Sequence, residues 1–251
     1  MLMKVNTKKI INEFNRIKEL GFVKNTKPNH GDGTAGNTFE TYLGIKENNL
    51  RDPDFKEFEV KTKKSLSGSW TTLFSKKPNH PKDGDSYMRE NWGIADSEYP
   101  TLKVFRTSLH ANRWSLVYKK YKIKLAVNRE KEQVSIVLAN LKEEVKDNEV
   151  YWNFSQIHEG IKKLNNTFIV NYDVKEEAGI FYYKYTNAIV FLDYIGENNF
   201  IDLIENGTVR YDNRLGIYRT GEKKGNLHNH GGGFRINAKN LDKLFATKIE
   251  I

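Results

Sequence analysis

Alternating polarity recurs along much of this chain and constrains its fold more than any other feature of the sequence. Four segments between residues 102 and 138 alternate apolar and polar side chains, namely LKVFRTSL, RWSLVY, KIKLAV and QVSIVL. Two more, TFIVNYDV and IFYYKYTNAIVF, follow after residue 166. Because successive side chains of a strand point to opposite faces, these segments predict half-buried β-strands, the first four in an antiparallel meander.

Helical periodicity appears between the strands. Apolar residues recur at helical spacing over residues 7–20, and Gly21 follows as a stop, so a helix is predicted there. Residues 25–37 are rich in Gly and Asn and predict a loop. Further helices are predicted over TFETYLGIKENN, near Tyr87, over YWNFSQIHEGIKKLN and over NNFIDLIENG. Strands are predicted over FKEFEVKTKK and WTTLFS, and a hairpin over TVRYDNR and LGIYRT. The mixture predicts an α/β protein with a mixed sheet.

The charge balance indicates a polyanionic partner. The chain has 251 residues, 38% of them apolar and 29% charged, with a net charge of +9. Nucleic acid is favoured over a membrane, because no basic amphipathic helix with an aromatic apolar face stands out. No apolar run is long enough for a transmembrane helix, and the first residues lack the pattern of a signal peptide, so the cytoplasm is the expected compartment. The absence of cysteine excludes disulfides and thiolate zinc sites.

The stretch DPDFKEFEVKTKK, residues 52–64, places carboxylates beside lysines. On a strand, Glu59 and Lys61 share a face, and Asp54 lies earlier, at the turn that the proline marks. Phosphodiester hydrolysis uses a divalent metal, which carboxylate and carbonyl oxygens can bind, and a nearby lysine can hold or deprotonate a water. The pattern predicts a metal-dependent nuclease centre. The alternative interpretation of residues 52–64 is a solvent-exposed strand edge with mixed charges.

A glycine-rich loop precedes this stretch and enters a predicted helix. The segment GDGTAGNTFE carries Glu40 near the start of that helix, and from there its carboxylate can reach the same centre as Asp54. The alternative role of Glu40 is to complement the helix macrodipole. Asp followed by Glu-x-Lys at loose spacing is common in unrelated proteins, so by itself it is a weak signal of a nuclease. The glycine-rich loop and Glu40 strengthen that signal.

Residues 31–64 resemble the MvaI/BcnI family of type II restriction endonucleases, relatives of the mismatch-repair nickase MutH, with the greatest likeness on the MvaI side. The shared pattern is a Gly-x-Thr-Phe-Glu helix start, then Asp, then Glu-x-Lys, here Gly36, Thr38, Phe39, Glu40, Asp54, Glu59 and Lys61. The likeness continues through TLFSKKP, VYWNFSQI, YYKYTNA and IENG to GIYRTGEKKGNLHNHGGGFRIN, nearly the whole chain. It implies a MutH-like fold with two lobes around a DNA cleft, a catalytic lobe over residues 1–150 and a DNA-recognition lobe over residues 151–251.

The resemblance also implies roles for single residues. Asp54, Glu59 and the Val60 carbonyl would bind Mg²⁺, as one or two ions. Lys61 would position the attacking water, and Glu40 would complete the acidic cluster. The implied catalytic set is Glu40, Asp54, Glu59 and Lys61. The presence of all four residues argues against an inactivated family member that binds DNA without cutting it.

The C-terminal stretch RLGIYRTGEKKGNLHNHGGGFRIN is basic and glycine-rich. Its His-Asn-His string does not indicate an HNH nuclease, whose residues are scattered over a ββ-metal-helix unit, and a second pair of zinc ligands is missing. Without the resemblance, a solvated hairpin loop would be the favoured interpretation. The resemblance implies that arginines and histidines of this stretch read G·C pairs by donating hydrogen bonds in the major groove. They are Arg214, His228, His230 and Arg235.

Three further residues are expected at the DNA. Lys223 and Lys224 are predicted to contact phosphates. His80 lies in the loop KKPNHPKDGD, a region that approaches the minor groove and the central base pair in the family. That central pair is A·T for MvaI-like and G·C for BcnI-like enzymes, and a histidine suits either.

Together these observations predict a Mg²⁺-dependent type II restriction endonuclease that cuts double-stranded DNA at a CCNGG site, with CCWGG preferred over the CCSGG of BcnI-like enzymes. The resemblance implies a monomer with one active site, which would nick one strand, reorient and nick the other. The cognate DNA methyltransferase would belong to the same system without binding the enzyme, and no membrane partner is expected. The alternatives are a MutH-like repair nickase under partner control and a non-catalytic DNA-binding module.

Overall fold

A computed structural model describes residues 5–27, 33–45, 54–65 and 70–251. The chain forms two compact units, the first of Met1–Gly68, Lys162–Ile195 and Leu241–Ile251 and the second of Ser69–Ile161 and Gly196–Asn240. This division differs from the expected single boundary at residue 150, because strands distant in sequence pair within one sheet of the first unit. Among the described residues, no helix is long and apolar enough to cross a membrane.

Helices and strands are interspersed along the described part of the chain. The elements are α1 (Val5–Glu19), β1 (Phe22–Lys24), α2 (Thr34–Tyr42), β2 (Phe58–Lys64), β3 (Trp70–Phe74), α3 (Gly84–Trp92), β4 (Ile94–Ala95), β5 (Lys103–Leu109), β6 (Ser115–Val117), β7 (Tyr121–Asn128), β8 (Gln133–Ala139), β9 (Val145–Asn153), α4 (Phe154–Ile161), β10 (Asn166–Glu177), β11 (Ile180–Tyr194), α5 (Glu197–Glu205), β12 (Val209–Ile217), β13 (Leu227–Asn229), β14 (Gly233–Asn237) and β15 (Phe245–Glu250). Short 3-10 helices follow α4 at Lys162–Leu164 and β14 at Ala238–Leu244.

A mixed sheet forms the framework of the first unit. Its order is β1–β11–β10–β2, and β15 pairs with β11. β10 and β2 run parallel, with Val60 opposite Phe168, while β11 is antiparallel to its neighbours. Phe39 of α2 is fully buried, and its ring centroid lies 4.8 Å from that of Tyr185. Three apolar residues of α1 are fully buried at helical spacing, as the sequence predicts: Ile10, Phe14 and Ile17.

The second unit contains two antiparallel sheets. One is ordered β3–β14–β12–β5–β4, with β13 also paired to β12, and the other is the meander β6–β7–β8–β9. The apolar face of the first sheet packs around Phe234, whose ring contacts Phe74, Trp152 and Tyr211. α5 adds Phe200 to this cluster, 5.7 Å from Phe74 between ring centroids. The predicted α/β class, with sheets flanked by helices and one of them mixed, is confirmed.

The predicted hairpin of TVRYDNR and LGIYRT is wrong. Residues Val209–Ile217 form one strand, β12, and its hairpin partner β13 comes from the segment that follows. The turn-forming residues Asp212 and Asn213 remain inside the strand because both are buried with partners. Ser108 donates a hydrogen bond to Asp212, and the Asn213 amide donates to the sulfur of Met88. Tertiary contacts therefore override local turn propensity.

One predicted strand pairing and two predicted helix starts also differ from the structure. LKVFRTSL forms β5 but pairs with β12 rather than joining the meander. α4 begins at Phe154, because Tyr151 still belongs to β9. α2 begins at Thr34, inside the predicted loop, where the Thr34 and Tyr183 hydroxyl oxygens are 2.6 Å apart. Residues 46–49 of that predicted helix and 28–32 of the predicted loop lie outside the described part of the chain.

Gly160→Ala is expected to destabilise the protein, although alanine favours a helix over glycine by about 1 kcal/mol. A Cβ at Gly160 of α4 would lie 2.3 Å from the ring of Phe74, which is buried beside Phe200 and Phe234. Overpacking of this kind costs about 1–3 kcal/mol. Urea denaturation should therefore show a lower free energy of unfolding. Ser155→Ala, at an exposed position of the same helix, is the control and should change it by less than about 0.5 kcal/mol. A stabilised Gly160→Ala protein would contradict this packing.

Candidate functional site

A tight turn folds Asp54 back onto β2. Phe55 and Phe58 exchange backbone hydrogen bonds of 3.0 and 2.8 Å across this turn. The turn brings the Asp54 carboxylate to the Val60 amide, which donates to Asp54 Oδ2 at 2.9 Å. Asp54 is therefore next in space to the Glu-x-Lys segment from which it is separated in sequence.

Glu59 and Lys61 form an ion pair on one face of β2. Glu59 Oε1 and Lys61 Nζ are 2.9 Å apart, and the two side chains are 5% and 18% exposed. Strand β10 places Thr167 and Ile169 opposite them in register. A carboxylate that is removed from water to this extent requires a positive or hydrogen-bonding partner. Lys61 supplies the positive charge.

Glu40 lies on α2, one turn after Gly36. A Cβ added at Gly36 would lie 3.3 Å from Thr62 Oγ1 and 4.0 Å from Glu40 Oε1, so both oxygens flank the same point. Because Thr62 belongs to β2, this contact places the start of α2 against the strand that also carries Glu59 and Lys61. The absence of a side chain at Gly36 allows α2 to approach β2 this closely.

The oxygen atoms around Val60 fit a hard divalent cation. In a strand, the N–H and C=O of one residue point to the same side, so the Val60 carbonyl faces the side on which Asp54 lies. Carboxylate and carbonyl oxygens are the ligands that Mg²⁺ takes from proteins. Within the described ranges, no group of three or more acidic or histidine side chains forms a metal cluster by itself. The candidate ligand set is therefore Asp54, Glu59 and the carbonyl of Val60.

Charged residues cover one face of the β12 sheet in the second unit. Arg210, Asp212 and Arg214 alternate along β12 and so share this face. Arg210 is in register with Arg235 of β14, and Arg214 is in register with Arg106 of β5. We call these five residues the arginine face.

Asp212 neutralises part of the arginine face. Its carboxylate lies 2.8 Å from Arg210 Nε and 3.3 Å from Arg235 Nε, and accepts a 2.7 Å hydrogen bond from Ser108. The Arg210 guanidinium also lies 3.9 Å above the Trp70 ring, within the range of a cation–π contact. Burial lowers the pKa of Arg235, and the Asp212 carboxylate opposes this shift. Both guanidiniums are therefore fixed before any ligand arrives.

The two predicted histidines form an aromatic cluster with Tyr218. The rings of Tyr218 and His228 stack with centroids 3.9 Å apart, and His230 lies edge-on to His228 at 4.3 Å. Burial, and after it the charge of His228, lowers the pKa of His230. His230 is therefore neutral at pH 7, with one ring nitrogen as a donor and the other as an acceptor. Arg214 Nη1 lies 3.5 Å from the His230 carbonyl oxygen, so the structure brings Arg214, His228 and His230 together.

The loop between β12 and β13, residues 218–226, carries the two predicted phosphate-binding lysines. Lys223 and Lys224 are both exposed. Arg219 anchors this loop through a bidentate ion pair with Asp96, in which Nη1 and Oδ1 are 2.9 Å apart. Hydrogen bonding to Arg219 holds the pKa of Asp96 well below its usual value. Arg219 thus fixes the loop, while the two lysines remain at its surface.

His80 lies beside the meander of the second unit. Its backbone exchanges hydrogen bonds of 3.2 and 3.1 Å with Tyr151, and the two rings stack with centroids 4.7 Å apart. The His80 side chain is 45% exposed, and Nε2 lies 3.9 Å from Glu149. Its role at the central base pair stays a prediction.

Three residues of the arginine face are additional to those predicted from the sequence: Arg106, Arg210 and Asp212. Two of them had a local signal, because the alternation in VRYDNR places Arg210 and Asp212 on the face of Arg214 once the segment is one strand. Arg106 had none, since only its register with Arg214 brings it to this face.

Comparison with known proteins identifies the family of this chain. A model of the MvaI/BcnI restriction endonuclease family matches residues 11–245. The solved complex of restriction endonuclease MvaI with its cognate DNA substrate is 28% identical, covers 99% of both chains and superposes with a TM-score of 0.89. MvaI in the absence of DNA is 26% identical, covers 100% of this chain and 99% of its own, and gives a TM-score of 0.62. No curated protein sequence matches the chain.

The family match spans nearly the whole chain, and its motif residues converge on one strand. The turn at Asp54 and the ion pair between Glu59 and Lys61 give the Asp and Glu-x-Lys pattern a single location. The predicted fold class is confirmed by the likeness to MvaI. This protein belongs to the MvaI/BcnI family of restriction endonucleases.

Proposed function

We propose that this protein is a divalent-metal-dependent type II restriction endonuclease that hydrolyses phosphodiester bonds of double-stranded DNA at a CCNGG-type site, with CCWGG preferred. The observation that carries the proposal is the convergence of Asp54, Glu59 and Lys61 on one segment of β2 in a member of this family. The likeness to MvaI in complex with its cognate DNA supports duplex DNA as the substrate. The CCWGG preference rests on the motif likeness to the MvaI side of the family.

Each candidate catalytic residue has a separate task. Asp54 and Glu59, with the Val60 carbonyl, would hold Mg²⁺, which when bound neutralises phosphate charge and lowers the pKa of a bound water. Asp54 also orders the Val60 peptide through its 2.9 Å hydrogen bond. Lys61 keeps its ammonium group beside Glu59 and would donate a hydrogen bond that holds the attacking water towards phosphorus. Glu40 would add its carboxyl group from α2.

The second unit would bind and read the duplex. Arginine donates two hydrogen bonds to O6 and N7 of guanine, and a neutral histidine donates one. The proposed base-reading residues are Arg214, His228, His230 and Arg235. Lys223 and Lys224 would contact phosphates from the exposed loop, and His80 would lie near the central base pair. The net charge of +9 favours association with any duplex and makes it dependent on salt.

A MutH-like repair nickase is the second candidate, because the two enzymes share the Asp and Glu-x-Lys pattern. Incubation of purified protein with Mg²⁺ and a plasmid of known sequence separates the two. Linear DNA with ends at CCWGG supports the restriction enzyme. Open-circular DNA as the final product supports the nickase, and intact plasmid contradicts both.

Asp54→Asn should abolish cleavage and preserve specific DNA binding. The amide retains an acceptor for the Val60 N–H but removes the charge that a divalent ion requires. Cleavage of a cognate duplex should fall by about 100-fold or more, because metal-supplied charge stabilisation is worth several kcal/mol. Fluorescence anisotropy in Ca²⁺ should give a dissociation constant within about threefold of the unaltered protein, since affinity comes from phosphate and base contacts.

Asp173→Asn, at an exposed position of β10, is the matched control for this substitution. It removes the same charge from the same unit and should leave the cleavage rate unchanged. Cleavage by Asp54→Asn at the unaltered rate would refute the assignment of the active site.

Arg235→Lys and Lys224→Ala should affect DNA binding in different ways. Lysine keeps a positive charge beside Asp212 but lacks the planar fork of arginine, so specific binding should weaken by about 1–3 kcal/mol, mainly at one G·C position. Loss of Lys224 should weaken binding to all duplexes alike and reduce the salt slope by about one. Competition binding against single-substitution duplexes measures both. The same sequence profile for the two variants would refute the division into base and phosphate contacts.

A plasmid with one recognition site should be cut in two steps. A monomer with a single centre reaches one scissile phosphate per binding orientation, so open-circular DNA should accumulate before linear DNA. The rate should be first order in enzyme and independent of a second DNA site. A gel time course with light scattering at the same protein concentration measures this. Direct conversion to linear DNA by a dimer would contradict the monomeric mechanism and leave the catalytic residues unaffected.

A further inference from the structure

Two arginines of the arginine face are not neutralised. Arg106 of β5 and Arg214 of β12 are in direct register, and both are exposed. In the described part of the chain, neither forms an ion pair with a carboxylate. Arg210 and Arg235 are also in register, but the Asp212 carboxylate contacts both of them. Like charges directly opposite each other on antiparallel strands are destabilising, so the first pair is maintained against its own repulsion.

Gly216 provides the space in which the Arg106 guanidinium lies. A Cβ at Gly216 would be 2.4 Å from Arg106 Nη2 and 2.8 Å from His230 Cδ2. The guanidinium and the imidazole therefore converge above the bare backbone of β12. They line a cavity of about 620 Å³ together with Ser108, Asp212 and Arg214. Arginine, histidine and serine side chains therefore present hydrogen-bond donors to the same cavity.

We propose that Arg106 is a specificity-determining residue, which with Arg214 binds the major-groove edge of a guanine in the recognition site. The proposal rests on the proposed function, since it assumes that this face meets a duplex. Two guanidiniums side by side match the O6 and N7 acceptors of guanine. The repulsion between the arginines is relieved when that electronegative edge lies between them.

A guanine edge fits this cavity better than a phosphate. Asp212 lines the same cavity with acceptor oxygens, which a phosphate cannot match because it offers acceptors only. A base-pair edge presents amino donors as well as acceptors, so it is compatible with a carboxylate beside two arginines. The loop lysines Lys223 and Lys224, which are exposed, provide phosphate contacts elsewhere.

Arg106→Ala tests the proposal through sequence discrimination. Binding should be measured in Ca²⁺ with the CCWGG duplex and with duplexes that each carry one substituted base pair. The variant should lose about 10- to 100-fold in affinity for the cognate duplex, and the duplex altered at the pair read by Arg106 should show no further loss. Affinity for non-specific duplex and the salt slope should remain unchanged.

Arg129→Ala is the matched control. Arg129 carries the same charge in the same unit but is paired with Asp202 and Glu205 at 2.7 and 2.6 Å. It should leave the discrimination profile unchanged. Equal weakening of all duplexes by Arg106→Ala, with a salt slope smaller by about one, would show a phosphate contact and overturn the proposal.

Gly216→Ala tests the same geometry without a change of charge. The added methyl group would meet both Arg106 Nη2 and the His230 ring, so it should displace the flexible end of Arg106, and its effect should include the loss of discrimination at the base pair that Arg106→Ala identifies. A thermal melt close to that of the unaltered protein confirms that the fold persists. Unaltered discrimination by both variants would overturn the proposal. Failure of the unaltered protein to prefer CCWGG over other duplexes would instead overturn the proposed function.

Discussion

The parallel pairing of β2 with β10 is the constraint on which the candidate catalytic centre depends. Parallel neighbours cannot be joined by a tight hairpin, so a crossover connection has to carry the chain back before β10 can pair with β2. The segment Ser69–Ile161 occupies that interval and builds most of the second unit. The register of this pairing fixes the position of Glu59 and Lys61 in the sheet, and its long crossover is one reason why the first unit is assembled from segments distant in sequence.

The position of β2 at the end of the sheet order gives it a chemical role. A strand with only one neighbour leaves backbone groups on its other side available, which is a risk for aggregation unless something covers them. Here Asp54 accepts the Val60 N–H on that side, and the Val60 carbonyl faces the same way. The Val60 carbonyl, a backbone group of the kind that makes an edge strand a liability, is thus an oxygen atom available to a metal ion, and the Val60 N–H holds the Asp54 carboxylate beside it. The Lys61 ammonium group lies 2.9 Å from the mostly buried Glu59 carboxylate on the same strand.

The arginines of the second unit differ in whether a carboxylate neutralises them. Arg219 contacts Asp96 and fixes the loop of Lys223 and Lys224. Arg210 and Arg235 share the carboxylate of Asp212, which orders both guanidiniums in advance. Preorganised donors lose less conformational entropy on binding than free side chains do. On this face a carboxylate fixes some arginines in place, while other arginines remain available to a ligand. Such a face suits selective binding better than a uniform basic patch does.

The sequence alone allowed much of the fold and of the catalytic set to be predicted. The helix at α1 and most strands followed from local periodicity, because burial of one face imposes a repeat that is visible in the residues themselves. The division of β12 at Arg214 was wrong, since Asp212 and Asn213 have turn-forming side chains whose buried partners lie on other elements. Local propensity could not reveal those partners.

The sequence by itself determined the class of chain and its basic charge, because residue types and short spacings are local properties, and the family resemblance predicted Glu40, Asp54, Glu59 and Lys61 as a set. Only the tertiary structure decided how these residues meet. The turn at Phe55 places Asp54 against Val60, and the register of β5 with β12 places Arg106 opposite Arg214. Strand register depends on hydrogen bonds between segments far apart in the chain, and the sequence of neither segment contains that information alone.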